Sequence, residues 1–131
     1  MKQILLDTCA YSAFMRGHSE IKLALQEADE IYLNPVILAE LLAGFMKGHR
    51  EKNKKELQLF LSSPRVSVVN IDQDTAERYA VILNALWKIG NPVPTNDLWI
   101  AASAMQHGLR LVTTDAHYQK MTQVIVDYFA S

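Results

Sequence analysis

The chain has 131 residues, half of them hydrophobic, a formal net charge of −1 and one cysteine. That is the size of one ordinary domain, spanning 1–131, with enough apolar material for a buried core and too much for a disordered chain. The lone Cys9 excludes an internal disulfide, the near-neutral balance argues against broad attraction to a polyanion, and no apolar run approaches the length of a membrane span. The start of the chain lacks a charged segment followed by an apolar one, so the expectation is a soluble cytoplasmic protein without a signal peptide.

Lys2 to Leu6 reads as a first buried strand, a continuous apolar run between polar flanks. Cys9 to Arg16 reads as a short helix stopped by Gly17, and Ser19 to Ala28 as a second, with Ile21, Leu25 and Ala28 on one face. Glu30 to Leu33 is the next strand. Asn34-Pro35 is a strong helix start, because Asn accepts from an orphan amide at the N-cap and Pro suits the first helical position. That helix runs to about Lys47 and stops near Gly48. Another spans about Arg50 to Ser62, with Leu57, Phe60 and Leu61 as its apolar edge.

Val66 to Val69 is a third strand. Asp72 to Ile89 shows helical spacing at Ala76, Tyr79, Leu83 and Leu86 and ends at Gly90. Thr95 is placed to cap a helix from Asn96 to His107. Leu109 to Thr113 is a fourth strand, Ala116 to Met121 a short helix, and Val124 to Val126 a last strand. Short apolar strands alternating with helices define an α/β fold with a parallel sheet covered on both faces. In such sheets ligands collect at the carboxyl ends of the strands, where Asp7 and Asp115 both fall.

Four acids stand out against this background. Asp7 follows Ile4-Leu5-Leu6, and Asp115 closes Leu109 to Thr114. Glu40 has Val36, Ile37, Ala43 and Gly44 at helical spacing, and Asp97 opens Asn96-Asp97-Leu98-Trp99-Ile100-Ala101-Ala102. Taken singly each has an ordinary explanation. Glu40 can pack its stem and reach water, Asp97 suits a helix's first turn, and Asp7 and Asp115 can cap the helices after them. Four together are harder to dismiss, because carboxylates in apolar surroundings need compensation. A divalent cation is the natural compensator. Mg²⁺ and Mn²⁺ favour carboxylate oxygens and water, and such ions serve phosphodiester chemistry without a nucleophilic side chain. Thr8, Asn96 and Thr114 each adjoin an acid, and Ser12 lies one turn beyond Thr8, so all four are placed to orient a ligand or a water.

These residues resemble the PIN-domain ribonucleases, and within them the VapC-type toxins of prokaryotic toxin–antitoxin pairs. Leu6-Asp7-Thr8, Ala39-Glu40-Leu41, the Asn96 to Ala102 segment and Leu111-Val112-Thr113-Thr114-Asp115-Ala116-His117-Tyr118 follow the family's motifs in order, with Tyr118 where Phe is more usual. The resemblance runs from Asp7 to Tyr118. It implies a PIN-like three-layer α/β/α fold with a central parallel sheet of four to five strands. It also implies a Mg²⁺- or Mn²⁺-dependent endoribonuclease whose ligands are Asp7, Glu40, Asp97 and Asp115, with Thr113 joining the orienting residues. Such relatives are usually homodimers and are inhibited by a small VapB-like antitoxin.

Lys47, His49, Arg50, Lys52, Lys54 and Lys55 make up the dense basic stretch. Phosphate contact with RNA and an ordinary solvated helix start explain it about equally. Arg16, Lys88 and Arg110 are weaker contacts. Cys9 reads as a small buried residue, since a Cys-x5-Arg phosphatase loop needs Arg where Met15 stands. Phe45, Met46, Phe60, Trp87 and Trp99 read as core or interface. A haloacid-dehalogenase-like phosphatase also begins with an acid after its first strand, but wants a second Asp at position 9. The non-enzymatic alternative is an RNA- or protein-binding module whose acids merely cap helices, of which a receiver domain is a weaker form.

Overall fold

The computed structural model describes residues 1–131. Five strands form one parallel sheet: β1 (Gln3–Leu6), β2 (Glu30–Leu33), β3 (Val66–Val68), β4 (Arg110–Thr113) and β5 (Val126–Tyr128), in the order β3-β2-β1-β4-β5. Six helices flank it: α1 (Thr8–Met15), α2 (Ser19–Glu27), α3 (Pro35–Phe45), α4 (Arg50–Leu61), α5 (Gln73–Lys88) and α6 (Thr95–His107). A 3₁₀ turn covers Ala116–Lys120. No helix is long and apolar enough to cross a membrane.

The order follows from composition. β1 lies at the centre because Ile4, Leu5 and Leu6 offer water nothing, and all three are fully buried. From β1 the chain winds outward through β2 and β3, then returns to β1's other side with β4 and β5. β1 and β4 therefore flank the switch point, where an open parallel sheet leaves a crevice above its carboxyl ends. Ile4 pairs with Arg110, Leu5 with Leu111 and Leu6 with Val112, so the next pair on the rim is Asp7 beside Thr113.

Start and stop signals set the helices. Asn34 accepts from the Ile37 amide at 2.9 Å with Pro35 behind it, and Asp72 forms a capping box with Thr75. Gly108 ends α6 at φ 63°, a left-handed conformation that glycine takes without strain. Asn34 is also fully buried, and its Nδ2 donates to Ser103 Oγ at 3.0 Å on α6. This side chain thus joins α3 to α6.

Several expectations are corrected. Pro94 occupies the N-cap of α6 and Thr95 makes no capping bond, because Thr95 is already inside the helix. α5 buries Thr75, Ile82 and Leu86, so its inward stripe is rotated and Ala76 is exposed. The last strand is Val126–Tyr128 rather than Val124–Val126. Val124 turns into the core after the 3₁₀ segment, and the edge strand is held by Asp127 accepting from Arg110 at 2.9 and 2.8 Å. Trp87 and Met46 are each 69% exposed and are not core, whereas Phe45 and Phe60 pack against it. Trp99 is half-buried, with its ring 4.4 Å from that of Tyr79.

Asn34→Ala is expected to destabilise the protein by about 1–3 kcal/mol in urea unfolding, because it removes a cap and strands the buried Ser103 hydroxyl. An unchanged midpoint would show that the α3–α6 joint does not depend on this side chain.

Candidate metal centre

The four acids arrive at the crevice from different elements. Asp7 follows β1, Glu40 lies in α3, Asp97 in the first turn of α6, and Asp115 just beyond β4. Asp7 is 2% exposed, and the other three are half-buried. Asp97, Asp115 and His117 have ligand atoms within 4.8 Å of one another. Cys9 lies within the field of all four acids.

Each carboxylate is held by a particular neighbour. Asp7 Oδ1 accepts from the Ala10 amide at 2.8 Å, capping α1, while Oδ2 accepts from Thr113 Oγ1 at 2.5 Å. The Thr113 hydroxyl also accepts from the Asp115 amide at 2.9 Å, so one threonine links the two strand-end acids. Glu40 is held at both oxygens, by Thr8 Oγ1 at 2.6 Å and Asn96 Nδ2 at 3.2 Å. Asp97 Oδ1 accepts from the Tyr118 hydroxyl at 3.2 Å, and Asp115 caps the 3₁₀ turn through the His117 amide. Thr8, Asn96 and Thr113 thus stand where an orienting role needs them. Ser12 and Thr114 bond to none of the acids and line the adjoining clefts instead.

The electrostatics are one-sided. No Lys or Arg pairs with any of the four; the one basic side chain in contact is the His117 imidazole, whose Nδ1 lies 3.3 Å from Asp115. Burial pushes the Asp7 carboxyl from 3.8 up to about 7. Thr113 and the Ala10 amide pull it down, while the charges of Asp115 and Asp97 push it further up. Burial and Asp115 likewise raise Asp97. Partial desolvation of the thiol and then all four acids push Cys9 up to about 11 although the residue as a whole is exposed, so it stays protonated at neutral pH. The donor set fits a hard divalent cation: mostly carboxylate oxygens, already oriented, carrying negative charge that no protein cation neutralises.

The basic stretch divides. Lys52 borders the cleft beside Glu40 together with Arg16, whereas Arg50 and Lys54 border an apolar groove with Leu42 and Met46. Lys47 and Lys55 are exposed and line neither. Cys9 is exposed, correcting the expectation of burial: α1 turns Ala10, Tyr11 and Ala13 inward and leaves Cys9 outside. Sequence reasoning missed His117 and Tyr118 as site residues. Tyr118 is three residues after Asp115, one full turn of a 3₁₀ helix, and that spacing is the signal that was available.

The sequence profile of the PIN domain matches residues 4–124. The chain belongs to the PIN-domain family. Within it, the chain is similar to enzymes named VapC ribonucleases. It is 33% identical over 92 residues to Ribonuclease VapC4 of Mycobacterium tuberculosis, covering 70% of this chain and 71% of that one. It is 30% identical over 129 residues to Ribonuclease VapC11 of the same organism, covering 92% of each. Among solved structures, VapBC2 from Rickettsia felis bound to a DNA fragment from their promoter aligns with TM-score 0.80 at 25% identity, covering 96% of this chain and 98% of that one. VapBC-5 from Mycobacterium tuberculosis, a member of the VapBC family of toxin–antitoxin systems, aligns with TM-score 0.78 at 26% identity, covering 98% and 100%.

The buried charge has a consequence for stability. Folded Asp7 keeps its proton up to about pH 7, whereas the unfolded carboxyl releases it near 3.8. The folded state binds more protons in between, so this contribution is fully present below about 3.8 and is lost as pH rises through 7. EDTA-treated protein is expected to melt at a lower temperature at pH 8 than at pH 5, with Asp7→Asn flattening the difference. Equal slopes in the two proteins would contradict the charge assigned to Asp7.

Proposed function

We propose that this protein is a Mg²⁺- or Mn²⁺-dependent endoribonuclease, the toxin of a toxin–antitoxin pair, inhibited by a cognate VapB-like antitoxin. The observation that carries this reading is the convergence of Asp7, Glu40, Asp97 and Asp115 on the sheet's switch point with no Lys or Arg to neutralise them. The similarity to enzymes named ribonucleases, and to VapBC toxin–antitoxin structures, supports the choice of RNA and of an antitoxin partner. Assembly as a homodimer belongs to the same proposal.

Asp97 and Asp115, whose ligand atoms lie with that of His117 in one close group, would hold the ion, with Asp7 and Glu40 joining them from its border. A bound divalent cation supplies a Lewis acid for a phosphoryl oxygen and lowers the pKa of water. The protein's own part is orientation. Thr113 fixes Asp7 and the Asp115 backbone, Thr8 and Asn96 fix both oxygens of Glu40, and Tyr118 turns one Asp97 oxygen inward. Each carboxylate oxygen keeps a lone pair beyond its recorded hydrogen bond, so these contacts do not use up its capacity to bind an ion. Cys9 is a poor nucleophile, because desolvation first and then the charges of the four acids hold its proton. Water is therefore the attacking group, and the reaction is hydrolysis of an RNA phosphodiester. The exposed Lys47, Arg50, Lys54 and Lys55 add a positive field on the α4 side.

Purified protein is expected to cut total cellular RNA into discrete fragments with Mg²⁺ or Mn²⁺ and to leave it intact with EDTA. Asp97→Asn should reduce cleavage to background while melting within a few degrees of the parent. Tight RNA binding by folded protein, with no cleavage under any metal condition, would replace this reading with that of a binding module.

A further inference from the structure

Helices α1, α3 and α4 enclose a cleft of about 530 Å³ beside the acidic rim, and only 4 of its 12 lining residues are hydrophobic. Glu40 forms one wall, and Arg16, Lys52 and Glu56 lie on the others. None of these last three forms a salt bridge, and their side chains make no hydrogen bond within the protein. Two cations and one carboxylate thus face one space with their hydrogen-bonding groups free.

Tyr11 adds an independent sign. It lines the same cleft, is 2% exposed, and its hydroxyl is the one buried side-chain polar atom in the protein without a hydrogen-bond partner. Its ring packs edge-on against Phe60 at 5.3 Å, a contact that phenylalanine would make equally well. The hydroxyl therefore costs the fold something and gives it nothing back, which calls for an explanation outside the fold. Burial and the Glu56 charge together push this hydroxyl up to about 12, so Glu56 acts on the same point from the cleft wall.

The cleft also leads somewhere. A neighbouring cleft of about 540 Å³ shares Thr8, Ser12 and Arg16 with it and reaches Thr114 and Asp115. α1 thus lines one track from the acids, past Arg16, to Lys52. An RNA strand whose scissile phosphate lies at the acids has this track as its adjoining path.

We propose that this cleft is the base-selecting subsite for one single-stranded nucleotide next to the cut, with Arg16 and Lys52 on its phosphate, Glu56 and Tyr11 on its base edge, and guanine as the preferred base. The inference rests on the ribonuclease reading. An ionised carboxylate only accepts, and guanine is the base that presents two adjacent donors, N1–H and the 2-amino group, on its Watson–Crick edge. Adenine sets its N1 acceptor against the carboxylate, and uracil flanks its single donor with two carbonyls, so both meet repulsion. The Tyr11 hydroxyl is covered in the free protein and donates to guanine O6 when the bound base shifts the cleft wall.

The test uses the full chain carrying Asp97→Asn, so that RNA survives, with Mg²⁺ present. Fluorescence anisotropy is read with pentanucleotides bearing G, A, C or U at the central position. The G pentamer should bind about tenfold more tightly than the others, as expected for one bidentate base contact. Glu56→Gln should bring the four within about twofold of each other. Arg16→Ala with Lys52→Ala should weaken all four together and flatten the salt dependence.

Tyr11→Phe should melt no lower than its parent yet lose affinity for the G pentamer severalfold, a combination that a purely structural role does not produce. Cleavage sites in wild-type digests should show the same G preference, lost in Glu56→Gln. Metal-dependent cleavage with a base preference indifferent to Glu56 and Tyr11 overturns this inference and leaves the nuclease standing. Base-selective binding without cleavage by the wild type overturns the nuclease and leaves the subsite. RNA binding insensitive to every substitution assigns the cleft to a protein segment instead, and overturns the proposal.

Discussion

Asp7 and Thr113 become neighbours because β1 and β4 pair in parallel with Leu6 opposite Val112. From that register much of the rim follows. Thr113 donates to Asp7 and accepts from the Asp115 amide, while the other Asp7 oxygen caps α1. One hydroxyl and one carboxylate thereby fix the end of two strands, the start of a helix and the position of a second acid. A one-residue slip would turn Asp7 to the opposite face and break all of these at once. The carboxylate is nonetheless nearly water-free, and two donors do not fully offset its desolvation, as its raised pKa shows. The fold tolerates this cost at the place where an incoming cation would relieve it.

The other half of the rim is assembled by neutral contacts. Asn34 caps α3 and reaches Ser103 on α6, while Asn96 at the start of α6 reaches Glu40 further along α3. The two helices therefore run past each other in opposite senses and are tied at two levels. Glu40 and Asp97 come from rigid helices whose separation depends on directional bonds, one buried and one at the surface, rather than on loops. Three of the four acids double as ordinary structural elements: two cap helices and one sits in a first helical turn. Structural and chemical explanations of these residues are compatible, because a capping carboxylate still has lone pairs to spare.

That double use explains how much could be read from residues alone. β1, β2 and the Asn34-Pro35 start were legible because continuous apolar runs and a capping pair are local signals. The four acids were legible as a set, since each interrupts an apolar pattern. β5 was legible in existence but not in its bounds: the apolar run Val124 to Val126 places it two residues early, because the edge strand itself is held by Arg110 and Asp127. Cys9 was misjudged because residue type predicts burial only on average, whereas α1's orientation is set by Asp7 and the sheet. Tyr11 is the opposite case. Its burial is what an aromatic on a short helix suggests, but the solitude of its hydroxyl is a property of everything around it and leaves no mark in the sequence.

A net charge of −1 counted against an RNA partner, and the structure shows why that inference was weak. Net charge sums over a surface, while association depends on where the charges lie. Asp97 and Asp115 cluster with His117, Asp7 and Glu40 lie within their field, and Arg16 and Lys52 stand unpaired in the cleft beside Glu40. Without a cation the partly buried and poorly screened acids repel a phosphate. A divalent ion bound there would give a phosphate a place to sit, with Arg16 and Lys52 lining the cleft beside Glu40. On the proposed reading a divalent ion would offset part of that negative charge, and so would serve recognition as well as chemistry.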